Sequence, residues 1–224
     1  MSVSLLLPLR NECARGEADL QARLEWLRAL PGVEEWIAVD GASQDASADV
    51  AQRAGFQLLR TEAGRGIQLE AARRAARGDL LWMVHADTRP PRNGAELIEE
   101  AFRDPRVQVS AFPLSFQPEG WDLRLVAWGG NLRCRLRGTP YGDQALAFRA
   151  SSLAALGGLP AWPYLEDLWC VTRLKAPGFL RLLPGHCPTS GRRYRERGVW
   201  RTLWQHQRIL AHFRRHGCPL PEDR

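Results

Sequence analysis

Through its first 90 residues the chain alternates short apolar runs with stretches of helical spacing. Val3–Pro8 is an apolar run that predicts a buried strand. Glu17–Leu30 places Leu20, Leu24, Leu27 and Leu30 at helical spacing and stops at Pro31-Gly32. Glu35–Asp40 predicts a second strand closed by Gly41, Ser47–Ala54 a short helix, and Phe56–Arg60 a third strand. Gly64-Arg65-Gly66 opens an Ala-rich helix running to Arg77, with Gly78 as its stop, and Leu80–Val84 predicts a fourth strand. Strand and helix in alternation imply a parallel sheet with right-handed crossovers. Ligands of such sheets bind at the carboxyl ends of the strands. Asn11-Glu12, Asp40 and His85-Ala86-Asp87 fall at those ends.

The second half is less regular. The pattern predicts a helix over Asn93–Phe102, a strand over Val107–Phe116, a helix over Trp121–Arg137 and a strand over Ala145–Phe148. It then predicts helices over Asp167–Leu174 and Val199–Arg214. The last is amphipathic, with Trp200, Leu203, Trp204, Leu210 and Phe213 as its stripe. Core packing is the expectation for that stripe, with a lipid surface or a homodimer face as the sharper readings.

Charge adds a question. The formal charge is +6, and Lys175 is the only lysine among 31 basic residues. Arginine suits phosphate oxygens, but a GC-rich genome, where Arg replaces Lys on every surface, is the preferred explanation of the bias. No basic run interleaves with aromatics, so nucleic acid is not an expected partner. Five scattered cysteines without C-x-x-C spacing read as reduced thiols in a cytoplasmic protein. No signal peptide or membrane span is expected.

The strand-end residues support chemistry on their own terms. Asp40 can accept from a nucleobase N–H, or cap the turn that follows it. Asp87 offers a hard carboxylate to Mg²⁺ or Mn²⁺, or caps the turn at Thr88-Arg-Pro-Pro91. Arg65 sits at a Gly-flanked helix start suited to an anion, or is a solvated residue there. Asp45 orders the turn or caps the next helix. Leu69 stands where a dinucleotide fingerprint needs a third glycine, and no P-loop lysine motif exists.

Four segments together carry a family resemblance. Val3-Ser-Leu-Leu-Leu-Pro-Leu-Arg-Asn-Glu12, Val39-Asp-Gly-Ala-Ser-Gln-Asp45, Leu80-Leu-Trp-Met-Val-His-Ala-Asp-Thr88 and Leu165-Glu-Asp-Leu168 resemble the successive signatures of family 2 glycosyltransferases. Gly142-Asp143-Gln144 and Thr189-Ser-Gly-Arg-Arg193 resemble a small bacterial subgroup, labelled rSAM/selenodomain-associated or arsenosugar-biosynthesis glycosyltransferases. The resemblance implies a GT-A α/β fold, a mostly parallel central sheet flanked by helices, in one domain over residues 1–224. Residues 1–90 would form the nucleotide-binding half and 91–224 the acceptor half.

It further implies an inverting transfer from a UDP-, GDP- or dTDP-linked sugar to an unknown acceptor hydroxyl, assisted by Mg²⁺ or Mn²⁺. Pro8, Asn11, Glu12, Asp40, Gly41, Arg65, His85, Ala86 and Arg193 would bind the donor. Asp87 would hold the metal, with His85 standing where the family's first metal-site Asp is usual. Asp167 would be the general base, Glu166 its close alternative, and Asp143 and Gln144 would line the acceptor side. Arg192 would close over the diphosphate with Arg193, and His186 is a further metal candidate. Glu70-Ala71-Ala72 departs from the expected Asn-Ala-Gly. A nucleotidyltransferase would need a Gly-rich basic loop after the first strand, which Pro8-Leu-Arg-Asn-Glu12 does not supply. A non-catalytic nucleotide-sugar binder is the third reading.

Overall fold

The structure is a computed structural model that describes residues 1–117 and 120–220; the side chain of Arg193 lies outside the described set. The chain runs β1 (Val3–Leu9), α1 (Glu17–Arg28), β2 (Glu35–Asp40), α2 (Ser47–Arg53), β3 (Gln57–Arg60), α3 (Arg65–Ala75), β4 (Leu80–Met83) and α4 (Gly94–Phe102). It continues through β5 (Val109–Ala111), β6 (Leu114–Gln117), α5 (Trp121–Arg137), β7 (Ala147–Arg149), α6 (Ala150–Ala155) and α7 (Glu166–Arg173). β8 (Leu180–Leu182), β9 (Cys187–Ser190), α8 (Arg192–Arg197) and α9 (Val199–His216) complete it.

The main sheet has the order β3-β2-β1-β4-β7-β5-β8. β1 pairs parallel with both β2 and β4, and β2 parallel with β3. β7 runs antiparallel between β4 and β5, and β5 pairs parallel with β8. The expected mostly parallel α/β architecture is therefore present. The first four strands end on one edge, as the sequence predicts.

The central strand explains why. β1 has apolar side chains on both faces: Leu5, Leu7 and Leu9 pack with α1, α2 and α4, and Leu6 packs with α3, α6 and α7. A strand buried on both faces reads as a continuous apolar run, as Val3–Leu9 does. Each such leucine stabilises the fold by roughly 1.5–3 kcal/mol.

Two expectations are corrected. The strand predicted over Val107–Phe116 is broken in two at Phe112-Pro113. Proline has no N–H to continue a ladder. Leu114 then turns its N–H and C=O to the Asn131 side chain of α5, at 2.8 and 3.0 Å. The resulting β6 pairs with β9 in a separate two-stranded sheet. The second correction concerns Gly78, which does not stop α3. That helix ends at Ala75, and Gly78 instead lies so close to β1 that an added Cβ would stand 2.5 Å from Ser4 Oγ.

Candidate active site

The loop after β1 is clasped to the turn after β2. Asn11, at φ 52°, accepts from the Gln44 N–H at 2.8 Å and donates its own N–H to Ser43 Oγ at 3.0 Å. The N–H groups of Glu12 and Cys13 donate to Ser47 Oγ and Asp45 Oδ2. Asn11, expected at the donor, thus commits its side chain to the protein, and Asp45 orders the turn.

Asp40 ends β2, opposite Leu9 and next to Pro8 in the register. It is buried; Oδ2 accepts from the Ser43 N–H at 3.2 Å, while Oδ1 is sealed and has no hydrogen-bond partner among the described residues. Beside it, Gln68 Nε2 donates to both Leu9 O and Val39 O, at 2.7 and 2.8 Å. That side chain fixes the ends of β1 and β2. It also explains Gly41, where a Cβ would approach Gln68 to 2.7 Å.

The loop after β4 is tied to the loop after β1 by Arg23 of α1. Its Nη1 donates to Ala86 O at 2.7 Å and its Nη2 to Glu12 O at 3.1 Å. Glu12 and Asp87 thereby face one cavity of about 310 Å³, which Arg15, Arg89 and Arg192 also line. Burial and the Asp87 charge raise the Glu12 carboxyl, against the attraction of Arg23 and Arg192. Thr189 Oγ1 lies 3.4 Å from Asp87 Oδ1. Asp40, Gly41 and Arg65 do not line this cavity. His186 is exposed in the loop before β9. Among the described residues no three His, Cys, Asp or Glu side chains gather into a metal cage. Two carboxylates and a hydroxyl nonetheless fit Mg²⁺ or Mn²⁺, which take the rest of their oxygens from phosphate and water.

A second cluster forms around Arg65. Gly66 opens α3 by packing onto the segment before α7: its N–H donates to Trp162 O at 2.8 Å, and a Cβ would stand 2.1 Å from Pro160 O. The expected amide-lined anion site is accordingly filled by protein here. Arg65 instead reaches Glu166 Oε1 at 2.5 Å and Asp167 Oδ1 at 3.3 Å, with Nη1 3.5 Å from His85 Nε2. Burial would lower the Arg65 pKa, but the charges of Glu166 and Asp167 raise it. Burial raises the Glu166 carboxyl, Arg65 notwithstanding. Arg65 and Gln68 lie one turn apart on α3, so this cluster and Asp40 share one sheet edge.

Asp167 Oδ2 also accepts the Gly142 N–H at 2.5 Å, and Leu168 N–H donates to Oδ1. Gly142 is a glycine because a Cβ would meet Asp167 Oδ2 at 2.9 Å and His85 Nε2 at 3.0 Å. The next residue, Asp143, is half-buried, with Oδ1 sealed and unpartnered among the described residues. Burial pushes its carboxyl up to about 6; Arg133 opposes this, and Asp167 and Asp87 add to it. Gln144 departs from expectation: it is buried, with its amide committed to Phe112 O and the Tyr141 N–H.

Asp143 also lines a larger cleft of about 600 Å³ between α5 and α9. Trp200 and Trp204, expected in the core, are 69% and 62% exposed; α9 packs through Thr202, Leu210 and Phe213 instead. Sequence reading missed Gln68, Arg23, Arg133 and Tyr141. The nearest signal was Gln68 itself, a polar residue within an otherwise small and apolar helix face.

Strand order, the carboxylates at the strand ends and the flanking helices define a GT-A glycosyltransferase fold. The chain belongs to the family described as Glycosyl transferase family 2, whose model matches residues 4–155. No curated protein matches the sequence. Among solved structures, the chain is 19% identical to glucosyl-3-phosphoglycerate synthase from Mycobacterium tuberculosis, in complex with Mn²⁺, UDP-glucose and phosphoglyceric acid, with a TM-score of 0.59 over 84% of this chain and 70% of that one. It is 22% identical to the mannosyltransferase PcManGT from Pyrobaculum calidifontis, in complex with GDP-Man and Mn²⁺, with a TM-score of 0.59 over 83% of this chain and 56% of that one. A mycobacterial protein matches at 20% identity and a TM-score of 0.59 over 84% and 65%. The chain thus spans about two thirds or less of the length of two of these three neighbours.

Proposed function

We propose that this enzyme is an inverting glycosyltransferase that moves a sugar from a nucleoside-diphosphate donor to an acceptor hydroxyl. The observation that carries the reading is geometric. Arg65 pairs with Glu166 and Asp167 while its Nη1 lies 3.5 Å from His85 Nε2, so the loop after β4 that bears Asp87 meets the acceptor-side carboxylates. Residues 1–90 would hold the donor, and residues 91–224 the acceptor, within one domain. The subgroup reading rests on Gly142-Asp143-Gln144 and Thr189–Arg193. A cytoplasmic setting fits the five free cysteines.

In this reading the nucleobase lies at the Asp40 end of β2, beside Pro8 and Gly41, and its binding uncovers Oδ1 to the N–H donor it lacks. Arg15, Arg89 and Arg192 face the diphosphate. Asp87, with Glu12, would hold Mg²⁺ or Mn²⁺, which when bound neutralises charge on the leaving diphosphate. The acceptor oxygen bonds to the anomeric carbon as the bond from that carbon to the diphosphate breaks. The acceptor proton passes to Asp143, and the nucleoside diphosphate leaves. Asp143 is assigned because it faces an open cleft with a carboxyl poised near 6, which suits a base working near neutrality. Asp167 holds the Gly142 N–H and so positions Asp143. A second reading makes Asp167 the base, favoured by its place in Leu165-Glu-Asp-Leu168.

Thermal shift and calorimetry with UDP-, GDP- and dTDP-sugars plus Mn²⁺ test the donor reading. Binding of at least one, with slow donor hydrolysis, is expected; no response to any overturns it. Product anomeric configuration read by NMR tests inversion.

A further inference from the structure

α5 carries a stripe of large apolar side chains that the fold leaves uncovered. Trp121, Leu125, Trp128, Leu132 and Leu136 recur every three or four residues and are 76, 49, 62, 38 and 75% exposed. Four of the five line the cleft against α9, where Trp200 and Leu203 face them. Such a run of exposed apolar side chains marks a binding surface. The cleft's volume, about 600 Å³, is in the range of ligand sites.

The groove is not a flat patch, and its floor is chemical. Tyr141 and Asp143 both line it, so it opens onto the acceptor-side cluster. The floor is also basic. Arg133 stacks on the Tyr141 ring at 3.7 Å, and Arg133 and Arg214 both act by charge on the Tyr141 hydroxyl. The other carboxylate lining the groove, Asp122, is paired with Arg195 at 3.2 Å.

We infer that the groove takes the acceptor, an amphiphile whose apolar tail lies between α5 and α9. Its anionic head sits between Arg133 and Arg214 and carries the accepting hydroxyl to Asp143. This rests on the transferase reading, and it adds the acceptor's chemical class. The alternatives are a second copy of the chain covering the stripe, and non-specific adsorption to a lipid surface.

The test titrates the full chain with n-alkyl phosphates of four to ten carbons, below their micelle concentrations, with n-alkyl glucosides as neutral counterparts. Quenching of tryptophan fluorescence reads binding, and UDP, GDP and dTDP are titrated separately. The expected result is an affinity rising about two- to fourfold per methylene, as burial of an alkyl chain requires, with phosphates favoured over glucosides. Leu125→Glu and Trp200→Glu, both at exposed positions, flatten the chain-length dependence and leave nucleotide affinity unchanged. Arg133→Ala removes the preference for phosphate. Affinity independent of chain length, or unchanged in both groove variants, overturns the proposal. So does a dimeric mass by light scattering that excludes the alkyl ligands, or binding only to phosphatidylcholine/phosphatidylserine vesicles. Amphiphile binding without nucleotide binding would sink the donor reading and leave the groove; nucleotide binding without amphiphile binding would do the reverse.

Discussion

Asp143→Asn is predicted to make the protein more stable and the enzyme inactive. Raising a carboxyl from its ordinary 3.8 to about 6 corresponds to about 3 kcal/mol against the charged form. Asp143 is half-buried, and water screens part of that, leaving about 1–3 kcal/mol. The folded pKa lies above the unfolded one. The wild type therefore keeps this contribution below pH 3.8 and loses it as pH rises through about 6. Asparagine nearly preserves the shape and cannot ionise. At pH 8 its melting temperature should exceed the wild type's by about 2–12 °C, given roughly 2–4 °C per kcal/mol for a chain this size. At pH 4, just above the unfolded pKa, the difference should shrink to a small fraction of that. Transfer should fall by about 10² to 10⁴, the usual share of a general base. Wild-type kcat/KM should rise through pH 6, and the variant's residual rate should not. Denaturant unfolding at pH 4 and 8, with donor turnover across the same range, provides the measurement. A variant less stable than wild type at pH 8, or one turning over within tenfold of it, refutes the assignment; full loss of activity in Asp167→Asn alone then makes Asp167 the base.

Glu70 behaves in the opposite sense. Burial would raise its carboxyl, but bonds from Arg73, the Leu159 N–H and Arg74 hold it at about 2. Its stabilising contribution is present above pH 4.5 and lost as pH falls through about 2, so Glu70→Gln should cost about 1–2 kcal/mol at pH 7 by urea unfolding and flatten the acid limb. Gly66→Ala forces a Cβ onto Pro160 O and should cost more than about 2 kcal/mol, read the same way, because backbone must move. Asp87→Asn should weaken Mn²⁺-dependent binding of a nucleoside diphosphate at least tenfold by calorimetry, and leave metal-free binding unchanged.

The donor half was legible because its signals are local. Val3–Leu9 declares a doubly buried strand by composition, Asp40 ends its strand, and Asp87 comes four residues after Met83 closes β4. The acceptor half depends on contacts distant in sequence. Arg65 meets Glu166 across 101 positions, and nothing at the start of α3 distinguishes that partner from a phosphate. Pro113 was visible, but the strand pattern outweighed it until the Asn131 amide supplied a replacement partner for Leu114. β8 and β9 span three and four residues, too short for periodicity to register. Gln68 and Arg23 are polar residues on helices, where a solvent-facing role is the ordinary expectation, yet Gln68 joins two strand ends and Arg23 two loops by bonding to backbone.

The small β6–β9 ribbon acts as a party wall. Its Gln117 and Thr189 look into the arginine-lined chamber, and its Leu114 into the apolar one. A ribbon of four residues a side has little rigidity of its own, so guests in the two rooms would meet through it. Linkage would make any such effect mutual: whatever factor one occupant added to its neighbour's affinity would be returned in full.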